Sequence, residues 1–332
     1  MESLLSTMNP RHPDYQFLRH VRTNADRDGF LAVPYHYSQG TWFGRAFTSV
    51  GFQRVTKATR YMCSGKYYVE DDMVNSFPTI LAQILHAIGQ RTPVLDRYVS
   101  HREEVFAEIA ASNPMPRAEM KKLFLASLHQ GNYQNHTRGA FIPFLHHFST
   151  ELKRCSSVLL KRPEFKELVA LAQTKKQSFA VGTLVGWVCQ IQESRILAAK
   201  TEFTLRSGCE VASNCFDGHL RTKGKLDMHK CCEYIYEQTG FRVAFVSESH
   251  EPFAPKCIGA KPVSPPTPAP NVPLTSPLRT PVSSNVRPIQ LLLPSRVLSQ
   301  STPRARAVPP LLPLLLFPSP LSLYSMRDVW SP

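Results

Sequence analysis

The chain has no Cys-x-x-Cys pair, although it holds eight cysteines. The adjacent Cys231 and Cys232 cannot form a zinc knuckle, so a structural zinc site of that kind is excluded. Scattered thiols of this sort fit a reducing, intracellular compartment. There is no apolar run long enough to span a membrane. The stretch Leu311 to Leu323 is short and is broken by Pro313, Pro318 and Pro320. Residues 1–13 lack the apolar core of a secretory signal. Also missing are GxxxxGK[ST], GxGxxG and HExxH, the marks of phosphate-loop nucleotidases, dinucleotide enzymes and zinc proteases. Acid is in short supply: 25 Asp and Glu stand against 39 Lys and Arg, giving a net charge of +14 and a pI near 9.5. That balance favours a polyanionic partner and leaves the fold open.

Three regions differ in composition. Residues 1–30 are polar and basic, a lead-in with one short helix expected near Tyr15 to Val21. Residues 31–256 alternate apolar and polar segments and have the length of a folded domain. Residues 257–332 hold seventeen of the 28 prolines, with Ser and Leu but a single acid. Such a segment cannot sustain helices or central strands and is expected to be disordered. Its composition also fits an end misassigned by exon or frame.

The middle region is organised around residues 66–85, KYYVEDDMVNSFPTILAQIL. Strand formers at Tyr67 to Val69 run into Glu70, Asp71 and Asp72. Pro78 is expected to open a helix on which Ile80, Leu81, Ile84 and Leu85 recur at helical spacing. A carboxylate at the end of a buried strand is costly unless it is paired or binds a cation. On a strand Asp71 and Asp72 face opposite ways, so only one of them can serve a given site.

Before this stretch lies an aromatic, β-like segment from Leu31, then Gly44-Arg45, Gln53 and Arg60. After it, Pro93 to Ala111 reads as one helix, with Arg102 to Glu104 solvated. A second helix starts at Arg117 and places Arg117 and Lys121 on one face. Lys122 offers an alternative register. A loop at Asn132 to Gly139 precedes helices over Phe141–Leu160 and Phe165–Leu171. His146 and His147 on the first of these have no third ligand nearby and read as surface or packing residues. Gly182-Thr183 opens a long helix, on which Gly182 and Gly186 permit close backbone approach. Glu193 reads as a surface acid or a support for the site. Phe216-Asp217-Gly218 sits between short apolar flanks and reads as a hairpin tip. A helix over Leu226–Gln238 and a strand over Phe241–Val246 follow.

Asp72, then Phe77-Pro78-Thr79-Ile80, resembles motif A of template-directed nucleic-acid polymerases, in its family B form. Gly44-Arg45, Gln53 and Arg60 before it, Arg117-x-x-x-Lys121 after it, Gly182-Thr183 and the hairpin Asp217 resemble family A DNA polymerases, in the same order. There are departures. Leu125 and His129 replace Phe and Tyr, Gly131 is displaced by one, and Gly218 stands where family A has a second acid.

The resemblance implies an α+β fold: a right-hand polymerase palm, a small antiparallel sheet backed by helices, with helical fingers. It implies DNA synthesis from dNTPs on a DNA primer-template, with two Mg²⁺ ions held by Asp72 and Asp217. Arg117 and Lys121 would bind the triphosphate, Lys121 also donating a proton to the leaving pyrophosphate. Phe77 would stand beside the sugar, and Arg45, Gln53 and Arg60 would contact the nucleic acid. The aromatic at 77 equally fits a reverse transcriptase. A replication enzyme of a mobile element and a non-catalytic nucleic-acid-binding remnant are the further readings. No membrane partner is expected.

Overall fold

The computed structural model describes residues 2–27, 31–37, 41, 43–175 and 180–249. The proline-rich region 257–332, expected to be disordered, lies outside the described residues. The helices and strands, in chain order, are α1 (Glu2–Thr7), α2 (Tyr15–Asn24), α3 (Lys57–Ser64), β1 (Tyr68–Met73), α4 (Ser76–Ala87), α5 (Pro93–Ser100), α6 (Arg102–Ser112), α7 (Arg117–Leu128), α8 (Pro143–Ser156), α9 (Lys166–Lys175), α10 (Ala180–Arg206), β2 (Val211–Cys215), β3 (Gly218–Thr222), α11 (Met228–Thr239) and β4 (Phe245–Ser249). This is a mixed architecture: one antiparallel sheet in the order β2-β3-β1-β4, with helices around it.

β1 is central, and alternation along it divides the sheet into two unlike faces. Asp71 stands opposite His219 and Ser247, whereas Asp72 stands opposite Gly218 and Val246. On the Asp71 face, Lys200 of α10 donates to Asp71 at 2.9 Å and lies 2.5 Å from His219 Nε2. Arg221 Nε donates to Asp71 at 2.8 Å and the Ser247 hydroxyl at 2.6 Å. Lys200, Asp71 and His219 are wholly buried. Burial alone would raise the Asp71 carboxyl, but its neighbours His219, Lys200 and Ser247 outweigh that and hold it well below the usual carboxylate range. Burial pulls His219 down to about 4, so the imidazole is neutral near pH 7.

The main core lies on this same side. α10 runs through it: Leu184, Val185, Val188, Cys189 and Ile196 are all buried. At about 1.5 Å per residue this helix is some 40 Å long, yet no described helix is long and apolar enough to cross a membrane. Tyr98, Phe106, Phe124 and Phe148 form an aromatic knot among α5, α6, α7 and α8, with Tyr98 and Phe124 stacked at 4.1 Å. α7 meets α10 through the glycines. A Cβ on Gly182 would stand 2.1 Å from the His129 carbonyl oxygen, and one on Gly186 would press the His129 ring at 3.4 Å. The small residues at 182 and 186 are therefore close-packing residues, as their spacing implies. Seven cysteines lie among the described residues and all are free. His146 and His147 are exposed.

Several local expectations shift. Pro78 is the third residue of α4, not the first; every first-turn N–H lacks an intrahelical partner, so proline is tolerated there too. The expected helix over Pro93–Ala111 is two helices. At His101 the backbone leaves helical geometry (φ −131°, ψ 39°). Ser100 Oγ back-bonds to the Asp96 carbonyl, and Glu103 and Glu104 suit a fresh N-terminus. Arg102, expected in solvent, instead bonds Asn75 Oδ1. The β-like segment after Leu31 makes only the His36–Phe47 bridge among its described residues. The last strand begins at Phe245, not Phe241, because Phe241 and Arg242 donate their N–H groups to Thr239 Oγ1 and Gln83 Oε1. In the lead-in, α2 buries Leu18 and Val21, and Asp14 accepts from the Thr56 hydroxyl at 2.5 Å.

Lys200→Met should destabilise the protein by about 3 kcal/mol, because removing one partner strands charge in a buried cluster. A urea midpoint that corresponds to a loss under about 1 kcal/mol would show that Arg221 and Ser247 suffice for Asp71.

Candidate active site

The opposite face of the sheet carries Glu70, Asp72 and, on β4, Glu248. Two of these acids are compensated. Arg60 pairs with Glu70 at 2.8 Å, and Glu248 meets Lys57 and the Tyr61 hydroxyl. Asp72 has no ion pair and accepts no side-chain hydrogen bond among the described residues. Burial, then the charges of Glu70 and Glu248, push its carboxyl up to about 6. The face is open beside it, since Val246, its cross-strand neighbour, is 52% exposed.

The β2–β3 hairpin brings Asp217 to the same end of the sheet. Met73 N–H donates to the Asp217 carbonyl at 3.2 Å, so the tip lies level with the end of β1. Phe216 takes the left-handed turn position, at φ 60°. Gly218 has no such φ; it is a strand residue, and its lack of a side chain has a different cause. A Cβ there would stand 2.3 Å from the Asp71 carbonyl oxygen and 2.4 Å from Asp72 Oδ1. The Asp72 carboxylate thus lies over Gly218, against the residue that follows Asp217. Burial and then Glu193 raise the Asp217 carboxyl to about 6, Arg45 opposes them, and Asp72 adds a further push. Two carboxylates from segments far apart in the chain thus meet at one end of the sheet, half-buried and without an ion pair among the described residues.

A hard divalent cation fits such a pair, because oxygen donors held in partial burial gain most from a positive charge. Among the described residues no group of three or more His, Cys, Asp or Glu could hold a metal. Remaining ligands would have to come from substrate phosphates and water, which is how Mg²⁺ is commonly bound.

Arg45 is drawn to this corner. Its Nε and Nη2 donate to Glu193 at 2.5 and 2.8 Å, and its guanidinium lies 4.9 Å from the Phe77 ring centre and 5.4 Å from that of Phe216. Glu193 also accepts from Ser76 Oγ at 2.6 Å. The His129 ring meets Phe77 edge-on at 5.7 Å. Gln53 Nε2 donates to the Ala46 carbonyl at 3.1 Å and lines a cavity of about 70 Å³ with Arg45, Asn214 and Phe216. Arg60 is committed to Glu70 and is only 14% exposed.

On α7, Arg117 and Lys121 share a face as their spacing requires. Arg117 forms a two-pronged pair with Glu103 at 3.0 and 2.5 Å. Burial, then Arg117 and Arg102, lower the Lys121 ammonium, and Lys57 of α3 contributes to the same effect. Lys122 is turned to Glu119 at 2.7 Å.

The residues singled out from sequence thus form two groups: Asp72 with Asp217, and Arg45 with Phe77. Asp71 belongs to the buried cluster behind them. By sequence Glu193 reads as either a surface acid or a support for the site; it is 1% exposed and ties three segments together. The available signal was an acid set among the apolar residues of the first half of α10; the helix's other acid, Glu202, is exposed. Ser76 gave no comparable sign, and His129 stood out only as a departure at a position where family A has Tyr.

No protein-family model matches the chain. A curated relative, the putative helicase V13 of Sputnik virophage, is 27% identical over 240 residues, which take in 66% of this chain. The chain spans 30% of that relative's length. Among solved structures, the POL domain of Pol1 from M. smegmatis, in complex with DNA primer-template and dNTP, aligns over 71% of this chain and 50% of its own. The sequence identity is 10% and the TM-score 0.42, too low to establish a shared fold.

The raised carboxyls carry a stability consequence. Their folded pKa of about 6 lies above the unfolded value near 3.9. The fold therefore binds more protons between about pH 4 and 6, and metal-free stability falls as pH rises through that window. Asp72→Asn should stabilise the metal-free protein at pH 7.5 by about 1–2 kcal/mol after screening, and flatten the pH dependence. Thermal melts in EDTA at pH 5 and 7.5 measure this; identical slopes for wild type and variant would mean the carboxylate carries no strain.

Proposed function

We propose that the chain catalyses nucleotidyl transfer, as a template-directed DNA polymerase acting on a primer-template and dNTPs. The observation that carries this reading is the pair Asp72 and Asp217, brought to the open end of the sheet with no ion pair to either among the described residues. The order of motifs around that pair supports it, as does the net charge of +14. In this reading the sheet is the palm, and α7 belongs to the fingers. Residues 31–256 form the polymerase-like region, preceded by the basic lead-in of residues 1–30 and followed by the proline-rich stretch 257–332. The helicase in the virophage relative's name is said of that longer protein, of which this chain spans 30%.

Asp72 and Asp217 would hold two Mg²⁺ ions, which when bound supply activation of the primer 3′-hydroxyl and stabilisation of the pyrophosphate. Lys121 faces the triphosphate and donates a proton to the departing group; its lowered pKa makes it a readier donor than a free lysine. Arg117 neutralises phosphate charge once it exchanges Glu103 for substrate, a cheap exchange because that pair is surface-exposed. Phe77 lies beside the sugar and excludes a 2′-hydroxyl. Arg45 and Gln53 flank the hairpin tip where the primer end would lie. Arg60 acts behind them by neutralising Glu70.

Primer extension with Mg²⁺ tests this on DNA and RNA templates. Asp72→Asn and Asp217→Asn should each lower kcat by 10³-fold or more, and Lys121→Ala by roughly 10²-fold, in line with the loss of a general acid. Extension that survives Asp72→Asn would remove the proposed centre. Preference for an RNA template would move the chain to the reverse-transcriptase reading, which the aromatic at 77 allows.

A further inference from the structure

The segment Phe43 to Arg45 is fastened to α10 at successive points. Phe43 meets Trp187 edge-on at 5.4 Å. Gly44 has φ 93°, and a Cβ there would stand 2.9 Å from Gln190 Oε1. Its carbonyl accepts from Ser194 Oγ at 2.8 Å. Arg45 then closes its fork on Glu193. Glu193 is a buried carboxylate, and such a charge is kept only where its partners compensate its desolvation. Both partners, Arg45 and Ser76, adjoin Phe77: one lies over the ring and the other precedes it in α4. With His129 meeting the ring edge-on, Phe77 is gripped between two neighbours.

We propose that Glu193 is a positioning residue for sugar selection. It holds the Arg45 guanidinium over Phe77, which fixes that ring against a 2′-hydroxyl and narrows the substrates to deoxynucleotides. The proposal rests on the polymerase reading above. The chemistry of the pair makes it specific. A glutamine at 193 keeps the shape and can still accept from Ser76, but it offers one acceptor oxygen and no charge, so the fork cannot close. A lysine at 45 keeps the charge but has neither fork nor planar face to lie on the ring.

The test compares kcat/KM for dNTPs and rNTPs on one primer-template, for wild type, Glu193→Gln and Arg45→Lys. Both variants should narrow the dNTP:rNTP ratio at least tenfold, with dNTP use falling more than rNTP use. Equilibrium binding of dNTP and rNTP to the enzyme on a dideoxy-terminated primer should show the same narrowing. In a Phe77→Ala background, Glu193→Gln should change the ratio no further, since both act through one ring. A purely structural role would depress both substrates alike; an unchanged ratio, or additive effects with Phe77→Ala, overturns the proposal. If Glu193→Gln does not fold, Arg45→Lys and Ser76→Ala carry the same ratio. A wild type that extends with neither nucleotide class removes the polymerase reading and this proposal together, whereas a wild type that extends while the ratio stays fixed removes only the proposal.

Discussion

The structure depends on how one strand treats two consecutive acids. Asp71 and Asp72 differ by a single residue, yet alternation sends them to opposite faces, where the electrostatics are reversed. Behind the sheet, Lys200, Arg221 and Ser247 converge on Asp71 and keep it ionised in full burial. In front, three cations are spent on other acids: Lys57 on Glu248, Arg60 on Glu70, Arg45 on Glu193. Asp72 is left charged at a cost, next to a second carboxylate in the same condition. One acid fixes the scaffold and the other is kept in an unfavourable state that a ligand can relieve. Functional sites commonly hold such perturbed groups.

Glycine is used where backbone or carboxylate must come close, two places in particular. Gly218 leaves room for the Asp72 side chain across the strand pair, and Gly182 lets α10 touch the end of α7. In the first case Asp-Gly looks, by sequence, like an ordinary hairpin turn. The conformation shows otherwise, because the left-handed residue is Phe216.

What could be read from the sequence follows from which signals are local. The strand into helix around Asp72, the α7 face with Arg117 and Lys121, and the hairpin at Asp217 each rest on periodicity or turn chemistry within some twenty residues. The break at His101 and the late start of β4 do not. They depend on a serine back-bond and on Gln83, which lies far from Arg242 in sequence but adjacent in the fold. The same holds for charge. Arg45 and Arg60 are legible as cations near the site, but only the folded chain reveals that Glu193 and Glu70 already claim them. A buried acid and a surface acid have the same letter, and burial is a property of the whole packing.

The cluster around Asp71 also constrains how the molecule can assemble. Its bonds join residues separated by 129, 150 and 176 positions along the chain. Contacts of that span must meet a large loop-closure cost before they return any stabilisation. During synthesis the central strand emerges long before Lys200, Arg221 or Ser247 exists, so its second aspartate-bearing face waits as an unmatched charge in a nascent chain. The sheet can close only when nearly the whole described region has left the ribosome, which makes folding of this region a late and cooperative event.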